Sequence, residues 1–227
     1  MTRITQAMIL AAGRGERMRP LTDTCPKPMV PVAGKPIIDY AIESLRALGV
    51  ETIVANTHHL AQIITPHLDA MGVAAIYEPA LLDTGGGIKN ALAHLDRDAP
   101  LMVLSGDSIL PDVDTLPDLA DAWDANTMDI LLLLQPLETM TLTPGIGDYD
   151  LTDGLPRRAP DKSGAYMWTS ARILNPRIFD SAPDGPFSFR DLMDAAQTKG
   201  RLAARVHKGV WHHLTTPADI AAVERGR

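Results

Sequence analysis

The stretch AAGRGERMRPLTDTCPKPMVPVAGKP, Ala11–Pro36, follows directly on a short apolar run and decides how the rest of the chain is read. Gly13 and Gly15 allow a tight turn in which backbone N–H groups approach a phosphate unobstructed by side chains. Arg14, Arg17 and Arg19 add positive charge beside that concavity, and a guanidinium fork binds two phosphate oxygens at once. Lys27 lies between Pro26 and Pro28, whose fixed φ angles hold its backbone to a narrow range. The loop is neither of two familiar phosphate binders. It lacks the third glycine of the dinucleotide fingerprint, and no Gly-Lys-Ser/Thr follows. A bare G-x-G is also a common turn, so the reading depends on the whole stretch.

Working outward, Ala7–Ala12 reads as a strand feeding the loop, and Pro36 opens a helix over Ile37–Leu48 that Gly49 ends. Strands are expected at Thr52–Asn56, Ala74–Tyr77 and Leu101–Ser105. Helices are expected at Leu60–Met71, broken by Pro66, and at Gly86–Leu95. Apolar runs alternating with helical periods indicate a parallel sheet with crossover helices. Farther on, Met128–Gln135, Ala165–Thr169 and Leu202–His207 read as strands, and Phe189–Lys199 and Pro217–Arg225 as helices. Weak periodicity from Pro136 to Lys162 implies short elements. With no repeat or linker, residues 1–227 form one expected domain, with a nucleotide-binding half at 1–112 and a sugar-binding half at 113–227.

Composition narrows the partners. The 227 residues are 45% hydrophobic and 22% charged, as in globular proteins. No apolar run approaches the roughly 20 residues that span a bilayer, and the first residues are too short an apolar stretch for a secretory signal. A net charge of −7 without a basic stripe argues against bulk nucleic acid. A single cysteine, Cys25, excludes an internal disulfide and suits a reducing cytoplasm; it reads as a small packing residue. Oligomeric state has no signature in the sequence.

The ordered set Gly13, Gly15, Arg17, Pro20–Thr22 and Pro26–Pro28 resembles the signature of the sugar-1-phosphate nucleotidyltransferases: G-x-G-x-R, then Pro-Leu-Thr, then Pro-Lys-Pro. Similarity is dense from Ala7 to Asp107 and thin after Asp112. It is nearest to short uridylyltransferases acting on N-acetylmuramate 1-phosphate and to mannose-1-phosphate guanylyltransferases. The resemblance implies a Rossmann-like α/β fold, with a mixed, mostly parallel sheet and helices on both faces. It also implies an NTP and a sugar 1-phosphate as substrates, with Ala11–Gly15 around the nucleotide. Arg17 would contact the triphosphate and Lys27 the reacting phosphates.

Asp107 ends a buried strand in Ser105-Gly106-Asp107, where open α/β sheets place ligand chemistry, and by resemblance it is the main metal aspartate, for Mg²⁺. The family's second carboxylate falls in a Trp-x-Asp-x-Gly-Thr pattern. Here Trp211-His212-His213-Leu214-Thr215-Thr216 puts His213 in its place, and imidazole suits Mn²⁺ or Co²⁺ better than Mg²⁺. His213 can ligate directly, act through water, or leave Asp107 with water and substrate oxygens.

Leu82-Asp83-Thr84-Gly85-Gly86-Gly87 resembles a segment that approaches nucleoside and sugar. Its glycines precede the expected helix and leave N–H groups free, which marks Thr84, Gly85 and Gly86 for the nucleotide and Asp83 for the sugar. Glu78 lies near the base-reading position. A carboxylate there pairs better with guanine's donor edge than with uracil, whereas the nearest subgroup favours UTP, so the base stays open. Gly145-Ile146-Gly147-Asp148-Tyr149 resembles a sugar-side segment, with Gly147 and Asp148 facing hydroxyls. Trp168-Thr169-Ser170 replaces Phe-Thr-Gly, marking Thr169 as a sugar contact and Ser170 as added bulk. His58 and His59 lack acidic or cysteine neighbours and read as loop residues. Two alternatives remain: a nucleotidyltransferase for a non-sugar acceptor, and a silent nucleotide-binding homologue, which the missing late aspartate keeps open.

Overall fold

The structure is a computed structural model that describes residues 3–140, 142 and 146–226. Strand β1 (Gln6–Leu10) is apolar after Gln6 and buried up to the half-buried Leu10. It is followed by three short 3₁₀ turns and the two-residue strands β2 (Pro31–Val32) and β3 (Lys35–Pro36). Then come α1 (Ile37–Ala47), β4 (Thr52–Thr57), α2 (Ala61–Ala70), β5 (Ala74–Tyr77), α3 (Asp83–Ala91), β6 (Leu101–Ser105), β7 (Ser108–Ile109) and α4 (Thr115–Asp121). The later part holds β8 (Ile130–Pro136), β9 (Tyr149–Thr152), β10 (Leu155–Arg158), β11 (Tyr166–Leu174), α5 (Phe189–Thr198), β12 (Leu202–Val206), β13 (His212–His213) and α6 (Pro217–Arg225).

The main sheet runs β10-β9-β11-β6-β1-β4-β5, with β8 pairing both β11 and β12. Strands β6, β1, β4 and β5 are parallel. The direction reverses at β11, antiparallel to β6 and β8. Crossover helices require both faces to be covered. On one face Ile38 and Ile42 of α1, Ile64 and Leu68 of α2 and Leu119 of α4 pack together. On the other, Ile88 of α3 meets Phe189, Met193 and Ala196 of α5. A third cluster seats Ile220 and Val223 of α6 against Met18, Val30 and Val32, closing the chain's end over the glycine loop. The expected mixed α/β sheet is therefore observed. No helix among the described residues is long and apolar enough to cross a membrane.

Three expectations are corrected. Pro66 lies inside α2 without breaking it, because Ile64 and Leu68 are buried on either side and anchor the helix through the lost N–H. Helix α3 begins at Asp83 rather than Gly86, so the glycines lie within its first turns. Strand β11 does not stop at Thr169 but continues to Leu174 through a register shift between Trp168 and Arg172.

Candidate active site

Gly15 adopts φ 64°, and a Cβ there would lie 2.9 Å from both Lys27 Cβ and Thr22 Cγ2. Only glycine meets both conditions. The Thr22 hydroxyl donates to the Gly15 carbonyl at 2.9 Å, and the His59 ring meets the Thr22 carbonyl at 3.0 Å. These contacts press the glycine turn against the base of Lys27, which opens a 3₁₀ turn after the extended Pro26. Gly13 differs: nothing lies within 4 Å of a Cβ built on it, and it lines the cleft.

Lys27 Nζ sits 2.6 Å from Asp107 Oδ2, with the lysine side chain 9% exposed and the aspartate 31%. The Ser105 hydroxyl donates to Asp107 Oδ1, and the Gly106 N–H donates to the Leu10 carbonyl at 2.9 Å, tying the end of β6 to the end of β1. Burial alone would raise the Asp107 pKa. The Lys27 ammonium and the Lys27 and Ser105 hydrogen bonds together hold it below the usual carboxylate range.

His213 reaches this carboxylate through a two-residue ribbon, β13 on β7, in which it opposes Ser108. Its ring stacks on Trp211 at 4.9 Å and 7°. Burial pushes its pKa down; Asp107 opposes that shift, and Lys27 and Arg17 add to it. The ring is thus neutral near pH 7, as a metal ligand must be. Among the described residues, no group of three or more His, Cys, Asp or Glu is placed to hold a metal ion. Asp107 with His213 suits a cation that draws most of its ligands from phosphate and water.

Lys27 and Asp107 border a cleft of about 490 Å³ at the carboxyl ends of β1, β4 and β6, within the range of small-ligand sites. Ala11, Ala12, Gly13, Lys27, Glu78, Asp83, Thr84 and Asp107 line it. Arg14 and Arg17 stand exposed nearby, outside any salt bridge among the described residues, whereas Arg19 pairs with Asp23 on the surface.

Several backbone donors are already engaged. The Ala11 N–H donates to Asn56 Oδ1 at 2.8 Å. Asn56 Nδ2 in turn donates to Glu78 Oε1 at 2.8 Å, and Glu78 Oε2 accepts from the Leu82 N–H at 3.2 Å. Glu78 is 1% exposed, so it braces the glycine turn against the α3 loop more than it presents an edge to a base. The amides of Gly85 and Gly86, expected to be free, both donate to the Phe187 carbonyl. A Cβ at Gly85 would lie 2.4 Å from the Phe187 ring, which explains the glycine by close packing. Thr84 Oγ1 accepts from the Phe189 N–H, while Asp83, at φ 57°, accepts from the Thr84 N–H.

Of the four residues expected to contact the sugar, Asp83 lines the cleft and the other three do not. Gly147 passes so close to Gly164 that a Cβ would overlap its carbonyl. Asp148 accepts from Lys162 at 2.6 Å and from the Trp168 N–H at 3.3 Å. Thr169, 2% exposed, donates to the Leu133 carbonyl. None of the three lines the cleft, and Gly145 lies outside the described residues. Trp168, Ser170 and Arg172 line it instead. Arg172 and Asn56 went unnoticed in the sequence. Asn56 could have been found as a polar residue at the carboxyl end of a buried strand, and Arg172 as a charge between apolar residues.

Residues 7–172 match the MobA-like NTP transferase domain. The chain belongs to that family. Like other members of the MobA-like family, it is a nucleotidyltransferase. It is 38% identical to the N-acetylmuramate alpha-1-phosphate uridylyltransferase of Caulobacter vibrioides, over 96% of each chain. To the protein of the same name from Neisseria meningitidis it is 35% identical, over 93% of each. A mannose-1-phosphate guanylyltransferase of Mycobacterium tuberculosis is 35% identical over 96% of this chain and 63% of that one. Among solved structures, the inositol-1-phosphate CTP transferase from T. maritima shares the fold at a TM-score of 0.80 and 17% identity, covering 99% of this chain and 98% of that one.

Proposed function

We propose that this member of the MobA-like family joins UTP to N-acetylmuramate 1-phosphate, giving a UDP-sugar and pyrophosphate. The reaction class rests on one observation above all: the buried Lys27–Asp107 pair in a cleft whose other lip is the open face of Gly13. The acceptor and base rest on the two relatives of that name, similar over nearly their whole length. The engagement of Glu78 by Asn56 and Leu82 weakens the argument for guanine.

An oxygen of the sugar phosphate attacks the α-phosphorus of UTP, and the bond to the β-phosphate oxygen breaks. Pyrophosphate leaves with that electron pair. The attacking phosphate is already ionised near neutral pH, so no general base is required. What remains is to hold two anions together and to stabilise the leaving charge. Lys27, 9% exposed and fixed by Pro26 and Gly15, presents its ammonium to the reacting phosphates. Arg17 and Arg14, exposed beside the glycine turn and outside any salt bridge among the described residues, take the triphosphate tail. Asp107 and His213 would hold a divalent cation, Mg²⁺ or alternatively Mn²⁺ or Co²⁺, which when bound neutralises phosphate charge. Residues 1–112 carry the nucleotide and 113–227 the sugar within one domain, acting on small molecules of the cytoplasm.

A pyrophosphate-release assay over four NTPs and several phosphorylated acceptors tests this. Turnover of UTP with N-acetylmuramate 1-phosphate is expected to exceed that of GTP with mannose 1-phosphate. Preference for GTP, or activity only with a non-sugar acceptor, refutes the assignment, and tight NTP binding without turnover indicates a silent homologue.

A further inference from the structure

Arg172 has no solvent exposure, yet it carries its charge into the apolar layer between β11 and α5. Its guanidinium carbon lies 4.3 Å from the centre of the Phe189 ring and 5.0 Å from that of Trp168. Nη1 donates to the Ser170 carbonyl at 2.6 Å, while Nε and Nη2 have no hydrogen-bond partner among the described residues. Among the described residues no carboxylate pairs with it, and burial lowers its pKa to about 9. A buried charge without a counter-ion is strongly unfavourable. The two unpaired nitrogens form one edge of the planar fork that binds a carboxylate bidentately.

The surroundings fit a ligand contact. Arg172 forms part of the cleft wall together with Trp168 and Ser170. It opposes Val103 of β6, two residues before Ser105 and about 7 Å short of the strand end where the phosphate-handling Asp107 begins. The nearest rings are aromatic, an apolar setting that strengthens a charge-assisted hydrogen bond. Trp168 and Ser170 are both half-buried, and Ser170 holds φ 69° without being glycine. Because Nε and Nη2 are covered, contact with a ligand requires the Trp168 ring or the Ser170 turn to shift.

We infer that Arg172 is the residue that selects an acidic sugar, its Nε and Nη2 receiving a carboxylate carried by the acceptor apart from its 1-phosphate. This deepens the proposed function and rests on it, since N-acetylmuramate bears such a carboxylate on its lactyl group and N-acetylglucosamine does not. The buried cation is the destabilising cost of that selectivity.

The test compares wild type, Arg172→Met and Arg172→Lys, each with N-acetylmuramate 1-phosphate and N-acetylglucosamine 1-phosphate, alongside thermal melts. Wild type is expected to favour the muramate ester in kcat/KM. Arg172→Met should reduce the ratio of the two acceptors by about 10- to 100-fold, the range for a charge-assisted pair lost from a buried site. Arg172→Lys, with charge but no fork, should fall between, and the methionine variant should melt no lower than wild type. An unchanged ratio, or equal losses with both acceptors, overturns the inference; equal losses would assign Arg172 to the 1-phosphate. If wild type turns over neither ester with any NTP, the proposed function fails. Calorimetry with unphosphorylated N-acetylmuramate then still decides Arg172: binding lost in Arg172→Met supports the carboxylate contact, and binding unaltered or absent in wild type refutes it.

Discussion

Lys27 and Asp107, 80 positions apart in sequence, meet at 2.6 Å in the cleft, and the ammonium sets the electrostatic state of the carboxylate. The ammonium keeps the carboxylate ionised against its burial, and the carboxylate holds the ammonium where a phosphate would arrive. Replacing Lys27 with Met should lower kcat/KM by about 100-fold or more, the scale for one charge-stabilising donor. A loss below about threefold in steady-state kinetics would remove Lys27 from the reaction.

Gly13 and Gly15 should behave oppositely. Gly15→Ala forces a methyl to within 2.9 Å of Lys27 and Thr22 at φ 64°, and should destabilise the protein by about 1–3 kcal/mol in urea titrations. Gly13→Ala meets no protein atom. It should leave the urea midpoint in place while raising KM for the NTP, because the methyl enters the ligand's space. Equal stability losses in the two variants would contradict this division.

Asn56→Ala leaves the Ala11 N–H and Glu78 Oε1 without partners, both in buried surroundings. A cost of about 2–6 kcal/mol is expected, from two polar groups stranded at about 1–3 kcal/mol each. Asn56→Asp should fare worse than a neutral replacement, because it sets two carboxylates against each other. Calorimetric melts with and without UTP would show whether nucleotide binding recovers part of the loss.

His213→Asp should shift metal preference. If His213 ligates the cation, turnover titrated against Mg²⁺ and Mn²⁺ should move toward Mg²⁺ in the variant, since a hard cation prefers carboxylate oxygen. Superimposable metal curves for the two proteins would take His213 out of the site.

His207 is 5% exposed, with Nδ1 2.7 Å from Gln135 Oε1 and Nε2 3.0 Å from the Thr115 hydroxyl. Burial holds its pKa below the ordinary imidazole value, with Asp112 opposing the shift. The unfolded chain therefore binds more protons than the native state between the depressed pKa and the ordinary value. Stability from this group is present above about pH 6.5 and is lost as pH falls through that window. Urea melts at pH 7.5 and 5 should show a smaller acid loss in His207→Gln than in wild type. Identical losses would show that His207 is not the group responsible.

The chain's linear order determined the parallel half of this fold. Strands and helices alternating from Gln6 to Ser105 carry their own periodicity, and Gly15, Lys27 and Asp107 stand where local rules place phosphate chemistry, at turns and at a strand's carboxyl end. Tertiary structure decided the rest. Whether Gly85 offers a free amide depends on Phe187, about a hundred residues away. Glu78 is engaged because Asn56 and Leu82 converge on it. Arg172 was hidden because a charge interrupts the apolar run that identifies a strand, and only β8, β6 and α5 closing around β11 showed it buried in the cleft wall. Sequence reports which groups can donate, accept or carry charge. Which of them remain unsatisfied, and so available to a ligand, is a property of long-range contacts.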